Sequence, residues 1–215
     1  MSTAATRRYS LEEYFDREDK SPLRHEYYDG GIFTVGGHTE VHCLITTGTA
    51  VTLWNTLADR DDHYVYPSRM RVTCSSGLYT YPDTAVVRGV SDLLKRPDDH
   101  TLRNPVLIAE VLSPDSEAYD RGDKFEHYKT IPTLQSYLLV TQYEPRVEHF
   151  ARQADDQWKH TEISGLDAEI SLPELEITFS LASLYAQVEF PPPDEPAESS
   201  GQTPPIEPHP SGPKQ

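Results

Sequence analysis

The sequence predicts an α/β fold whose elements run α-β-β-β-α-β from residue 39 onward, with β-hairpins added at both ends. Three observations carry this reading. VLIAEVLSP, residues 106–114, is a short β-branched apolar run between Pro105 and the turn-forming Ser113-Pro114, the pattern of a central strand covered on both faces. From Thr39 to Leu57, the apolar residues Val41, Leu44, Ile45, Val51, Leu53, Trp54 and Leu57 recur mostly at helical spacing. HYVYPSRMRVTC and LYTYPDTAVVRG are rich in β-formers and meet at Ser75-Ser76-Gly77, which reads as a hairpin.

The remaining elements follow in order. Ser10 with Glu13 three residues later forms a capping box, so a short helix is expected from Leu11 to about Arg17. RHEYYDGGIFTV is two extended pieces joined by Asp29-Gly30-Gly31, a hairpin signal, with Glu26 on its first strand. Residues 91–104 are polar and read as a loop with a helical turn at SDLLK. After Ser113-Pro114-Asp115 a helix should cover Glu117 to Thr130, stopped by Ile131-Pro132. LQSYLLVT is a strand, PRVEHFAR and QWKHTEI form an antiparallel pair, and FSLASLYAQV closes the domain with a short helix.

Length and composition set the limits. Residues 1–190 suffice for one core-bearing domain. Residues 191–215 hold half of the 18 prolines and almost no core-forming side chains, so this Pro-rich acidic tail is expected to be disordered. The formal net charge is -16, of which the tail supplies -3 through Asp194, Glu195, Glu198 and Glu207 against Lys214. That balance argues against tight nonspecific binding to nucleic acid, whose affinity comes largely from neutralised phosphates. Arg69, Arg71, Arg88, Lys95, Arg96 and Arg103, however, flank the TYPDTAVV strand in sequence as a candidate basic rim. Cys43 and Cys74 have neither zinc spacing nor a disulfide framework, which fits a reducing compartment. No secretory h-region and no apolar run long enough to span a membrane is present, so a cytoplasmic protein is expected.

Glu110 interrupts the apolar run of the central strand, and an unpaired ion there costs several kcal/mol or more. It must be protonated, paired with a cation or bound to a metal. Asp83 in TYPDTAVV is a second carboxylate at the head of a β-forming run. Strands about 4.8 Å apart bring two such carboxylates onto one divalent cation, with water and substrate phosphate completing its shell. Asp120, Lys124 and Tyr128 are spaced i, i+4, i+8 and share one helix face, from which Lys124 can reach back over the strand of Glu110. A lysine beside a bound metal orients a water nucleophile or stabilises charge on a pentacoordinate phosphate.

Taken in order, Arg24-His25-Glu26-Tyr27 with Asp29-Gly30, His42, Tyr81-Pro82-Asp83, Glu110-Val111-Leu112-Ser113-Pro114, and Asp120-Arg121 with Lys124 and Tyr128 form a pattern that resembles the Uma-two family. That family lies within the PD-(D/E)xK restriction-endonuclease-like superfamily, and the likeness runs from about Tyr9 to Val188. The resemblance implies a restriction-endonuclease-like core with a central mixed sheet flanked by helices. It also implies Mg²⁺ or Mn²⁺ held by Asp83 and Glu110, and endonucleolytic hydrolysis of phosphodiester bonds, with DNA the expected substrate. The superfamily pattern places lysine two residues after the second acid, where this chain has Leu112. Similar families move the lysine to the next helix, where Lys124 stands 14 residues after Glu110. Glu26 matches the family's early acidic position and is expected to join the catalytic set by contributing to the metal site, directly or through water, and His42 is expected to line the same cleft as a phosphate or base contact.

Each residue also has a plainer reading. Glu110 can be a structural ion pair with Lys124 or an arginine, Asp83 a strand-start residue after proline, Lys124 a solvated helix lysine and Tyr128 a core or cleft wall. Asp120 and Arg121 read as local caps or helix-surface ion pairs, and a lone helical histidine such as His42 is more often packed than ligating. His25, His38, His63 and His127 make no metal spacing and are assigned nothing. Two other functions compete: a catalytically silent nuclease-fold protein acting in protein association, and a hydrolase of a small phosphorylated molecule. Exposed edges of the added β-structure make a homodimer the expected assembly.

Overall fold

In a computed structural model of the chain, residues 7–36, 39–96 and 99–190 are described; the tail expected to be disordered, and His38, lie outside them. Helix α1 spans Leu11–Lys20, longer by about a turn than its sequence suggested, and opens on the expected capping box. Glu13 N donates to Ser10 Oγ at 3.1 Å and Ser10 N to Glu13 Oε2 at 2.8 Å. Strands β1 (His25–Tyr28) and β2 (Gly31–Thr34) form the first hairpin. Asp29 and Gly30 take φ of 43° and 80°, the left-handed pair that a tight two-residue turn requires. Helix α2 covers Glu40–Leu57, capped by Thr39 as the pattern implied.

The second expected hairpin divides in two. Its outer parts are β3 (His63–Pro67) and β6 (Thr84–Arg88), which pair with each other. Its inner parts, β4 (Arg71–Thr73) and β5 (Tyr79–Thr80), pair around the Ser75-Ser76-Gly77 turn in another sheet. A turn closed by Met70 N on Pro67 O at 3.0 Å breaks one arm. Pro82, which has no N–H to give a ladder, lies in the break of the other. Asp83 therefore stands at the seam where the chain passes from one sheet to the next.

Residues 91–104 correct the expectation of a loop with a helical turn. They hold a hairpin, β7 (Leu93–Arg96) and β8 (Asp99–Leu102), and β8 runs parallel to β4 with Leu102 buried. The first sheet thus reads β2-β1-β5-β4-β8-β7. The central run is β9 (Leu107–Leu112), buried at every position. It pairs antiparallel with β6 and parallel with β10 (Ser136–Thr141). Strands β11 (Arg146–Arg152) and β12 (Trp158–Ser164) extend this mixed second sheet to the order β12-β11-β10-β9-β6-β3.

The helix expected over Glu117 to Thr130 is interrupted. Helix α3 (Glu117–Arg121) and helix α4 (Asp123–Tyr128) meet at Gly122, whose φ of -110° and ψ of -106° depart from helical values. Tyr137 OH donates to the Asp120 carbonyl at 3.0 Å, satisfying an acceptor at the break. Beyond β12 come a hairpin the sequence did not announce, β13 (Glu169–Leu172) with β14 (Ile177–Ser180), and the short α5 (Leu181–Leu184).

Alternation along β9 divides the core. Leu107, Ala109 and Val111 face α2 and the β13–β14 hairpin, meeting Ile45, Leu53, Ile170 and Phe179. Ile108 and Leu112 face α4 and the first sheet, meeting Phe125, Tyr128, Val72, Leu78 and Leu102. By that two-residue period Glu110 points into the second of these layers.

Candidate active site

Asp83 and Glu110 meet because the β6–β9 register, which pairs Thr84 with Ala109, carries them opposite each other one step further on. Their main chains and carboxylates interlock. Asp83 N donates to Glu110 Oε2 at 3.1 Å, and Val111 N donates to Asp83 Oδ2 at 2.8 Å. Both are buried, at 7% and 3% exposure. On the α2 side of the sheet, His42 Nε2 lies 3.3 Å from Asp83 Oδ2. His42 reaches that place from the first turn of α2, where Thr39 Oγ1 accepts its backbone N–H.

Lys124 comes from α4 on the opposite side. Its Nζ lies 2.8 Å from Glu110 Oε1, 3.0 Å from Asp120 Oδ1 and 3.7 Å from Glu26 Oε1. Tyr128, one turn further along α4, donates its hydroxyl to the same Glu110 oxygen at 2.7 Å. Glu26 is held in turn by Tyr119 OH at 2.9 Å and by the Thr80 hydroxyl. All six residues named in advance, Glu26, His42, Asp83, Glu110, Lys124 and Tyr128, therefore belong to one buried polar cluster. Leu112 shares the sheet face of Glu110 but packs into the apolar layer with Phe125 and Tyr128, so α4 delivers the ammonium to the side of the sheet on which position 112 lies.

Asp120 is a correction. A surface cap or ion pair was expected, yet it is 2% exposed and bound to Lys124. Asp120 and Lys124 face the same interior, as their i, i+4 spacing had indicated, and the break at Gly122 does not separate them. Arg121 does behave as a helix-surface residue, pairing with Glu117 at 2.8 Å and Glu148 at 2.6 Å. Tyr119 and Thr80 were not foreseen, since neither lies in a motif. Three members of the expected basic rim are engaged elsewhere, and the Arg96 side chain lies outside the described residues. Arg71 is buried beneath α1 with Tyr81 and Thr101, Arg88 bonds the Glu174 carbonyl, and Arg103 pairs with Asp92 at 2.6 Å. His25, assigned nothing, forms a buried pair with Glu18 at 2.9 Å.

The electrostatics follow from four carboxylates around one ammonium. Burial pushes the Glu110 carboxyl up, to about 8, against the pull of Lys124 and with Asp120 and Asp83 adding to the rise. Burial would raise Asp83 too, but the hydrogen bond and charge of His42 and the Val111 amide hold it below the ordinary carboxylate value. Burial opposes the charge on Lys124, yet Asp120 and Glu110 hold its pKa well above normal. Among the described residues, no three His, Cys, Asp or Glu side chains make a ready-made metal cage. Two neighbouring carboxylates in a pocket with excess buried negative charge suit a hard divalent cation that keeps most of its waters, as Mg²⁺ does.

Comparison with known proteins places this geometry in context. Residues 11–184 match the model of the Uma2 family, described as "Putative restriction endonuclease". Two uncharacterised proteins of Synechocystis sp. are similar over almost their whole lengths. One is 35% identical over 180 residues, covering 82% of this chain and 99% of that protein. The other is 31% identical over 182 residues, covering 84% and 93%. A crystal structure of "a putative nuclease belonging to DUF820" from Anabaena variabilis superposes with a TM-score of 0.66 at 18% identity, covering 83% of this chain and 98% of that one, and so shares the fold. With the family model spanning nearly all of the described residues, the chain belongs to the Uma2 family.

Proposed function

We propose that this protein is a divalent-metal-dependent endonuclease that hydrolyses phosphodiester bonds, with DNA as its polymer. The observation that carries the reading is the contact of Lys124 Nζ with Glu110 Oε1 at 2.8 Å, beside Asp83, on the sheet face where the superfamily's lysine position is occupied by Leu112. Two acids and an ammonium on adjacent strand and helix form the minimal set for metal-assisted attack of water on phosphorus. Asp83 and Glu110 would hold Mg²⁺ or Mn²⁺, which supplies Lewis-acid polarisation of the phosphoryl group and a more acidic bound water.

The chain's own groups have distinct tasks. Lys124 orients the attacking water or neutralises charge on the phosphoryl oxygens. Asp120 and Glu26 hold the Lys124 ammonium in place, Tyr128 fixes the Glu110 carboxylate, and His42 fixes that of Asp83. Burial lowers the local dielectric and strengthens each of these interactions. A homodimer formed through exposed sheet edges and a cytoplasmic setting complete the reading. No helix among the described residues is long and apolar enough to cross a membrane.

The test is calorimetric binding of Mn²⁺ and Mg²⁺ with nicking of supercoiled plasmid, on the wild type and on Asp83→Ala combined with Glu110→Ala. Binding and nicking lost together in the double variant support the assignment. A wild type that neither binds metal nor nicks leaves Glu110 as the ion-pair partner of Lys124. The 2.8 Å contact already satisfies that pair without metal, so such a result favours a silent member acting in protein association.

A further inference from the structure

An open pocket of about 510 Å³ lies between the turn of the β1–β2 hairpin and the turn of the β4–β5 hairpin, lined chiefly by Arg8, Tyr9, Tyr27, Tyr28, Ser76 and Gly77. One of its walls is the end of β1, the strand that carries Glu26, and α4, which carries Lys124, packs next to it. Tyr28 stands two residues beyond Glu26 on β1, about 7 Å along a strand. His127 stands three residues beyond Lys124 on α4, about 4.5 Å along a helix. His127 backs the lining: its ring meets that of Tyr28 edge to face at 4.4 Å, and its Nδ1 lies 2.8 Å from Ser76 Oγ. The pocket thus begins about 7 Å along β1 from Glu26, on the first-sheet side of the candidate site.

Its chemistry is unlike the rest of a chain that carries a net charge of -16. The one carboxylate on its lining, Asp29, is ion-paired with Arg8, whose Nε and Nη2 also donate to the Asp29 carbonyl at 3.1 and 2.7 Å. What remains is tyrosine surface with hydroxyl and backbone groups, and Tyr28 leaves 40% of its area exposed. Tyrosine surface with nearby hydrogen-bonding groups supplies the stacking part of a single-strand site, and Arg8 is the one cation on the lining to meet the backbone. A base paired within a duplex has no free face to offer.

We infer that the Tyr9–Tyr28 pocket holds an unpaired nucleobase of the substrate strand, so that the preferred substrate is single-stranded DNA or the single-stranded arm of a fork. This rests on the nuclease reading for its substrate, but the binding can be measured without cleavage.

The experiment is fluorescence anisotropy of a labelled single-stranded oligothymidylate and of a duplex of equal length, without added metal. It uses the full chain as wild type, Tyr28→Leu, Tyr28→Phe and Glu110→Gln, with nicking in Mn²⁺ measured on the same preparations. The single strand should bind more tightly than the duplex. Tyr28→Leu should weaken that binding about tenfold, the loss of one stacked base, while Tyr28→Phe and Glu110→Gln retain it. Equal binding by wild type and Tyr28→Leu, or preference for the duplex, or no binding to the single strand, overturns the inference. Tyr28-dependent binding without any nicking keeps the base site and removes the catalytic assignment. Nicking with Tyr28-independent binding does the reverse.

Discussion

Lys124 stands 2.8 Å from Glu110, 14 positions earlier in the chain, and replaces nothing that β9 itself supplies, because Leu112 is committed to the core. Removing the ammonium leaves Glu110 and Asp120 buried without their cation. Lys124→Ala should therefore lose about 3–5 kcal/mol of stability in urea unfolding, and plasmid nicking should fall about 10²- to 10³-fold. Lys124→Met combined with Glu110→Gln and Asp120→Asn removes the ammonium together with the two carboxylates it neutralises and should recover much of the stability but none of the activity. Nicking by Lys124→Ala at wild-type rate would remove the lysine from the mechanism.

Metal binding should depend steeply on pH. A cation ligated by Glu110 must displace the proton that burial holds there, with Lys124 opposing and Asp120 and Asp83 assisting, up to about pH 8. Apparent Mn²⁺ affinity is expected to rise about tenfold per unit between pH 6 and 8 and then level off. Calorimetry in buffers of different ionisation enthalpy should register close to one proton released per ion near pH 7. A flat affinity across that range would exclude Glu110 as a ligand.

Asp120 acts through Lys124 at 3.0 Å rather than on a metal. Asp120→Asn keeps the shape and loses the charge, so kcat should fall about ten- to a hundredfold while KM and Mn²⁺ affinity stay near wild type. If metal affinity falls in step with kcat, Asp120 is instead part of the cation site.

Acid should weaken the fold through His149, which is buried against Ser136 with its Nε2 2.7 Å from the hydroxyl. Burial, with some help from Lys159, lowers its pKa to about 4. The unfolded chain takes up this proton first, near pH 6.5, so the stabilising contribution is complete above that pH and is lost as pH falls towards 4. The loss should amount to about 1–3 kcal/mol in urea titrations across that window. His149→Gln should flatten the slope there, and an unchanged slope would assign it to another group.

Elements governed by neighbouring residues were legible in the sequence. The Asp29-Gly30 turn, the Ser10–Glu13 capping box and the apolar run of β9 each depend on chemistry within a few positions. Legible too were Asp83, Glu110, Lys124 and Tyr128, which sit beside strand or helix patterns that fix their faces, whereas Glu26 and His42 were reached only through the family likeness. The hairpin at 93–102 was not legible, since β8 gains its place by pairing with β4 about 30 positions away. Nor was the withdrawal of Arg71 under α1, or the depth at which Asp120 is buried, although its spacing already placed it on the face of Lys124. In these cases a tertiary partner decides what local polarity would otherwise suggest.

Glu26 belongs to the first sheet and Glu110 to the second, and a single ammonium spans them at 3.7 and 2.8 Å. Lys124 is in effect a rivet through two plates. A slip of one sheet past the other by an ångström or two would open these contacts while leaving the apolar layers on either side of β9 largely covered. The buried polar cluster is therefore more fragile than the domain that houses it, and a small shear would take it apart while every strand stayed in register.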